Sequence, residues 1–136
     1  MIKNLLSLGI VACIILSSCS IMNQQADRQN LGESTWKLIA IKQNRENLGD
    51  KAILKFDVKK NEVSGVAACN SFTGEIETIR NLITFADIAS TKMYCEGKMD
   101  EEIQILSNLE KVSRFEVKSD ILYLYSKDEL LLTYKR

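Results

Sequence analysis

Residues 52–85, AILKFDVKKNEVSGVAACNSFTGEIETIRNLITF, contain four short segments in which apolar side chains alternate with polar ones. In the first segment, Lys55 and Asp57 alternate with apolar residues, which is typical of a strand with one buried face; the apolar residues are Ala52, Leu54, Phe56 and Val58. Only a few residues separate each segment from the next. Connections this short cannot cross over between parallel strands, so they predict antiparallel pairing.

Similar alternation continues on both sides of these residues. Trp36, Leu38 and Ala40 are predicted to share one strand face, and residues 114–134 contain three further short strands. Residues 98–113 differ, because their apolar side chains recur every three or four positions and predict an amphipathic helix: Met99, Ile103, Leu106, Leu109 and Val112. We therefore predict a mainly β chain with a minor α+β component, a small antiparallel β-barrel or curved sheet whose helix covers one opening.

The composition excludes several classes of function. The 136 residues suffice for one folded domain and contain 18 basic and 18 acidic side chains but no histidine. The absence of histidine excludes Ser-His-Asp and Cys-His catalytic systems and histidine-ligated zinc. Because basic charge is not in excess, we expect no nucleic-acid partner. No spacing of the remaining residues singles out a catalytic group, so we expect no enzyme activity, cofactor or metal.

Three consecutive acidic residues, Asp100, Glu101 and Glu102, occur at the start of the predicted helix. Negative charge at this position suits the exposed N–H groups and the helix dipole. Successive helix residues point about 100° apart, so three in a row cannot converge on one ion. We interpret them as helix-start residues rather than as a metal site or an acid–base cluster.

The N-terminal residues carry a targeting pattern. Lys3 precedes an apolar run over residues 5–16, and two serines then precede Cys19. This order predicts a secretory signal peptide over residues 1–18. The segment LSSC that ends at Cys19 also resembles the lipobox of bacterial lipoproteins, in which fatty-acyl chains such as palmitate are attached to the cysteine. We expect Cys19 to be a lipid anchor; an ordinary signal peptide or a retained anchor is the alternative.

The predicted anchor is followed by a polar segment. Residues 19–33 comprise the lipidated cysteine and a stretch without aromatic side chains or regular period, which we expect to be a flexible tether. The folded domain is expected over residues 34–136. Ser20 supplies no acidic retention signal, which favours the outer membrane over the inner one.

Two segments of the predicted domain resemble the META domain family, which includes the HslJ-like heat-shock proteins. Residues 63–74, VSGVAACNSFTG, are similar to the family pattern G-x-x-G-C-N-x-x-x-G, and residues 88–95, IASTKMYC, to its pattern I-x-x-T-x-M-x-C. The matching positions are Gly65, Cys69, Asn70, Gly74, Thr91, Met93 and Cys95. Ala68 replaces the family's glycine before the cysteine, so the local turn is expected to differ slightly if that glycine needs a positive φ.

The resemblance implies a small β-rich unit, exported or lipid-anchored in bacteria and associated with stress, drug tolerance or envelope integrity. It implies no catalytic residues, because the family has no established catalytic chemistry. We expect a monomeric, non-enzymatic envelope protein that is anchored to the membrane and binds an envelope protein or ligand. The alternative is a carrier that holds a small hydrophobic ligand inside the barrel. The matching positions are either a functional patch or, as we favour, turn and core residues.

Two cysteines remain in the predicted domain once Cys13 leaves with the signal peptide and Cys19 is lipidated. An even number of cysteines in an exported domain indicates disulfide bonding, so Cys69 and Cys95 are predicted to be bonded to each other. Two buried thiols or a redox-active pair are the alternatives. Redox-active cysteines usually lie two residues apart at a helix start, and this pair does not.

The two binding hypotheses predict different structures. A carrier needs an apolar cavity of roughly 300 Å³ or more. A protein-binding domain instead needs a packed interior and an exposed apolar or aromatic patch. Tyr123 and Tyr125 are candidates for that patch, although ordinary strand propensity also explains them.

Overall fold

The computed structural model describes residues 28–32 and 34–136. This part of the chain contains a helical turn over residues 28–32, one longer helix, α1 (Met99–Leu109), and nine strands. The strands are β1 (Thr35–Ile41), β2 (Asn44–Arg45), β3 (Ala52–Asp57), β4 (Glu62–Ala67), β5 (Asn70–Ile79), β6 (Leu82–Ser90), β7 (Arg114–Lys118), β8 (Ile121–Ser126) and β9 (Glu129–Lys135). The predicted signal peptide, the predicted anchor Cys19 and the tether up to residue 27 lie outside the described residues.

The nine strands form one antiparallel sheet that closes on itself. Neighbouring strands pair in the order β1, β3, β4 and so on to β9, and β9 pairs back with β1. The two-residue strand β2 pairs with the end of β1. This arrangement confirms the predicted mainly β, antiparallel fold, because short turns join strands that are neighbours in the barrel.

Alternating side chains from the strands fill the interior of the barrel. The largest that are fully buried are Trp36, Phe72, Phe115 and Tyr134. Burial also raises the pKa of the Tyr134 phenol, because the apolar interior disfavours the charged phenolate. The interior therefore consists of packed apolar and aromatic side chains.

The inward alternation in β1 changes part-way along the strand. The pairing with β9 shifts register between Leu38 and Ala40, and Ile41 is buried whereas Ala40 is half-buried. The prediction that Ala40 continues the buried face is therefore wrong. A bulge adds one residue to the strand and exchanges its two faces beyond that point.

The helix covers one opening of the barrel, where it contacts β4 and β9. It ends four residues earlier than predicted, and it buries Ile105 and Leu109 in the core while Ile103 is exposed. The predicted buried face is thus wrong at Ile103. A second set of residues, all of them buried, recurs at the same intervals of three and four: Glu102, Ile105, Leu109 and Val112. Because Glu102 is charged, the sequence alone does not mark this set as a buried helix face.

A second correction concerns the tether. Residues 28–32 form a helical turn in which Leu31 is fully buried, and the Trp36 Nε1–H donates a hydrogen bond of 3.0 Å to the Leu31 carbonyl. The folded part therefore begins no later than residue 28 instead of residue 34. None of the helices in the described ranges is long and apolar enough to cross a membrane.

Candidate functional site

A disulfide bond joins Cys69 and Cys95, whose α-carbons lie 5.9 Å apart. Cys69 lies in the turn between β4 and β5, and Cys95 lies in the loop over residues 91–98 that follows β6. The predicted disulfide is confirmed. The bond holds the 91–98 loop against the β4–β5 turn at the end of the barrel that α1 covers.

Asn70 is buried beside this disulfide at the start of β5. Its Oδ1 accepts hydrogen bonds from the Thr91 hydroxyl at 2.7 Å and from the Met93 N–H at 2.8 Å. Its Nδ2 donates to the Met93 carbonyl at 2.9 Å and to both carboxylate oxygens of Glu102 at 2.9 and 3.0 Å. Its main-chain N–H also donates to Glu102, at 2.8 Å. One buried amide therefore connects β5, the 91–98 loop and α1; Asn70, Thr91, Met93 and Glu102 are called the Asn70 cluster.

The sequence does not single out Glu102 from its two acidic neighbours. Asp100 is exposed and Glu101 is half-buried, but Glu102 is buried with its carboxylate hydrogen-bonded to Asn70. Its spacing of three from Ile105 places it on the buried helix face, and this is the signal that could have identified it. Its role in the fold is to anchor the first turn of α1 to β5.

Two glycines of the family-like pattern are required by close packing in the sheet. A β-carbon at Gly65 would overlap the Ile53 carbonyl and lie 2.8 Å from the Phe72 ring. A β-carbon at Gly74 would lie 3.0 Å from the Ala86 carbonyl oxygen. Both positions therefore bring strands together and do not contribute side chains to a site.

Ala68 adopts a φ of +64° in the turn before Cys69. The turn therefore has the left-handed conformation that glycine adopts without strain, and the expected difference from the family's turn stays a prediction. A β-carbon in this conformation is close to the following carbonyl oxygen and costs roughly 1–2 kcal/mol. The disulfide and the hydrogen bonds of Asn70 lie immediately after Ala68 and hold the turn in this conformation.

The family-like positions thus separate into two groups. Gly65 and Gly74 lie within the sheet, away from the loop. The other five lie together at one end of the barrel, joined by the disulfide and by hydrogen bonds: Cys69, Asn70, Thr91, Met93 and Cys95. Within this second group, the Met93 main chain is bonded to Asn70 while 58% of Met93 is exposed.

An open groove of about 490 Å³ lies beside the Asn70 cluster, between the 91–98 loop and α1. Its apolar wall is formed by five side chains: Met93, Tyr94, Met99, Ile103 and Leu106. Tyr94 is 79% exposed and Ile103 is 61% exposed. Ser90, Lys92 and Glu110 line the rest of its rim. We call this feature the helix groove.

The predicted aromatic patch is not the most exposed apolar surface. Tyr123 and Tyr125 are half-buried, with ring centroids 6.4 Å apart, and the Arg114 guanidinium lies 4.0 Å from the centroid of the Tyr125 ring. Stacking of Arg114 covers part of this surface. The exposed apolar side chains instead lie in the helix groove and at Ile79 and Leu82.

The charged side chains are not arranged for metal chemistry in the described ranges. There, no group of three or more His, Cys, Asp or Glu side chains is placed to hold a metal ion. A second cavity, of about 830 Å³, lies near the β3–β4 turn among charged side chains of both signs, including Asp57, Lys60, Glu62 and Asp87. The helix groove, which is largely apolar and lies on a covalently fixed loop, is the better candidate for binding.

A model of the META domain family matches residues 29–136, which is most of the chain. The chain belongs to the META domain family. The match begins at residue 29, within the helical turn that closes the barrel, and so agrees with the corrected start of the folded part. No curated protein matches the chain.

Three solved structures are similar to this META domain in fold. The NMR structure of a protein from Burkholderia xenovorans has 22% sequence identity and a TM-score of 0.66, with 80% of this chain and 85% of that chain covered. A second NMR structure has 24% identity and a TM-score of 0.63, covering 79% and 92%. The crystal structure of a DUF4847 family protein from Bacteroides vulgatus has 11% identity and a TM-score of 0.59, covering 79% and 95%. At these identities the similarity shows the fold alone.

Proposed function

We propose that this META domain protein is a lipid-anchored protein of the cell envelope that acts by binding a partner, without catalysis. The observation that supports binding is the helix groove. Tyr94 and Ile103 remain exposed although the 91–98 loop and α1 are held by a disulfide and by a buried hydrogen-bonded cluster. Exposed apolar side chains on a rigid scaffold are typical of interaction sites.

The alternative function, a carrier with its ligand inside the barrel, has less support. Aromatic side chains from β1, β5, β7 and β9 are buried in the interior of the described domain. Small barrels commonly fill their interior in this way. The helix groove lies outside this core, so a ligand bound there would touch the surface of the domain.

Site-specific photocrosslinking tests the binding proposal. Replacing Tyr94 by p-benzoylphenylalanine places a photoreactive ring on the groove, and the same replacement of Ile79, which is 59% exposed elsewhere, is the control. We expect a discrete adduct with another envelope protein from position 94 and none from position 79. The same adduct from both positions, or none from position 94, would contradict the proposal. An adduct of small-molecule mass would favour a carrier.

The anchor is tested separately. The change Cys19→Ala is expected to abolish labelling by radioactive palmitate and to leave an unprocessed precursor or a soluble form. The physical reason is that several acyl chains on one residue make membrane attachment effectively permanent, whereas the remaining tether is polar. Labelling that persists in Cys19→Ala would contradict the proposed anchor, and it would leave the binding proposal unaffected.

A further inference from the structure

The strand β6 is paired on both sides only near its beginning. On the side of β7, the pairing of the described residues is limited to Leu82 opposite Arg114, with the adjacent Ile83 N–H donating to the Ser113 carbonyl at 3.2 Å. On the side of β5, pairing continues along the strand as far as Ser90. Most of β6 therefore has an edge that β7 does not cover.

The direction of individual N–H groups follows from the hydrogen bonds at the two ends of β6. The Ile83 N–H points towards β7, and the N–H groups of a strand alternate in direction, so the Phe85 N–H points to the same open side. The pairing of β6 with β5 shifts register between Ala86 and Ala89, which reverses this alternation beyond the shift. At the far end, the Thr91 N–H donates to the Ser71 carbonyl at the start of β5, so the neighbouring Ser90 N–H points to the open side. These are the groups with which an added strand would pair.

The helix α1 is connected to both ends of β6, in the order opposite to the direction of the strand. Its N-terminal end is tied to the end of β6 through Glu102 and the 91–98 loop. Its C-terminal end leads to Ser113, which is bonded to Ile83 at the start of β6. The helix groove, between the 91–98 loop and α1, meets this open edge at Ser90, the residue of β6 that lines it.

We infer that the helix groove binds an extended peptide segment of a partner protein as an additional strand on β6. An open strand edge is satisfied by the backbone of another polypeptide, and alternate side chains of that strand then enter the neighbouring apolar groove. This inference deepens the proposed binding function, since it assigns the same groove a class of partner.

The charges at the rim define the peptide further. Lys92 lies at the end of the groove near Ser90, and Glu110 lies at the other end; neither forms an ion pair with the residues that the structure describes. The complementary segment has apolar residues at alternate positions, an acidic residue at the Lys92 end and a basic residue at the Glu110 end. In the commoner antiparallel pairing, the acidic residue precedes the basic one.

The test uses the full chain as the cell produces it, captured through a C-terminal tag. Arg136, at the C-terminus, bonds to Ser119 and Asn30 at the opposite end of the barrel, so the tag leaves the groove open. The probe is a phage-displayed library of heptapeptides with apolar residues at alternate positions and all residues allowed at the others. We expect enrichment of sequences with an acidic first and a basic last residue.

Matched variants locate the binding. Ile103→Ser changes the groove, and Ile79→Ser changes an equally exposed isoleucine elsewhere. Ser90→Pro removes an N–H of the open edge, and Ser90→Ala keeps it. We expect Ile103→Ser and Ser90→Pro each to weaken the selected peptides by about tenfold or more, and Ile79→Ser and Ser90→Ala to bind like the natural chain.

Amide hydrogen exchange in the natural chain makes the test independent of whether Ser90→Pro folds. We expect the selected peptide to slow exchange at Phe85 and Ser90. The inference is overturned if the natural chain enriches no peptides from the library relative to the Ile103→Ser chain. Peptides that need Ile103 but leave exchange at Phe85 and Ser90 unchanged would also overturn strand addition, yet would leave binding at the groove intact. A failed crosslink at Tyr94 would instead contradict the proposed function.

Discussion

The two ends of the barrel are covered by helical segments in different ways. At one end, residues 28–32 bury Leu31 completely, and the Arg28 guanidinium donates to the Val58 carbonyl and to Asn61 Oδ1. At the other end, α1 buries Ile105 in the core but leaves Ile103 61% exposed beside the 91–98 loop. The first segment seals its opening, whereas the second covers the opening and adds an apolar surface.

This difference shows that a helical segment can close an opening without exposing apolar side chains of its own. The α1 end is also the more strongly braced of the two, because a disulfide, the buried Asn70 and the carboxylate of Glu102 all hold it. Such bracing reduces the conformational entropy that the surface would lose on binding. We interpret the α1 end as preorganised for contact and the other end as a stabilising closure.

The largest effect is expected from Asn70→Ala. The change removes the side-chain donors of the buried Glu102 carboxylate, leaving it the main-chain N–H of residue 70, and it removes the bonds to Thr91 and Met93. We therefore expect a loss of about 4 kcal/mol in the free energy of unfolding. Urea denaturation measures it, with the exposed Asn44→Ala as the control. A loss no larger than that of Asn44→Ala would show that the cluster does not brace the α1 end.

Removal of the disulfide is expected to have a slightly smaller effect. Replacing both Cys69 and Cys95 by serine removes a cross-link between two residues that lie 26 positions apart in the sequence. The chain-entropy model then gives a loss of about 3.5 kcal/mol. Hydrogen exchange should increase more in the 91–98 loop and α1 than at Leu31, and membrane attachment should be unchanged. Equal increases at both ends would mean that the disulfide stabilises the whole barrel and not one end. Intact mass with and without reductant checks that the natural chain is oxidised.

Leu31→Ala tests the sealed end. The side chain is fully buried, so its truncation should reduce the free energy of unfolding by about 3 kcal/mol. The exposed neighbour Gln29→Ala provides the control and should change stability little. If the two variants were equally stable in urea, residues 28–32 would belong to the tether, as the sequence predicts, and the comparison of the ends would fail.

The smallest effect is a gain in stability. Ala68→Gly relieves the left-handed conformation at φ +64° and should raise the free energy of unfolding by about 1 kcal/mol. Ala67→Gly, one residue earlier in β4 and without a positive φ, should destabilise the chain instead. Denaturation midpoints of the two variants that move in the same direction would contradict this account of the turn.

Much of the sheet could be predicted because strand alternation is a local property. Ala52, Leu54 and Phe56 are buried as the pattern predicts, and the Cys69–Cys95 pair is bonded. The errors occur where a contact from elsewhere in the chain changes the local pattern. The bulge before Ala40 depends on pairing with β9, and the burial of Leu31 depends on Trp36.

The sequence by itself determined the antiparallel β class, the position of the helix and the disulfide pair, because hydrophobic period, turn length and cysteine number are local or countable properties. Only the tertiary structure decided which helix face is buried. Both candidate faces recur every three or four residues, and the choice depends on the hydrogen bonds that Asn70, 32 residues earlier, makes with Glu102. Those bonds turn Ile105 into the core and Ile103 outwards, and the helix groove exists for that reason.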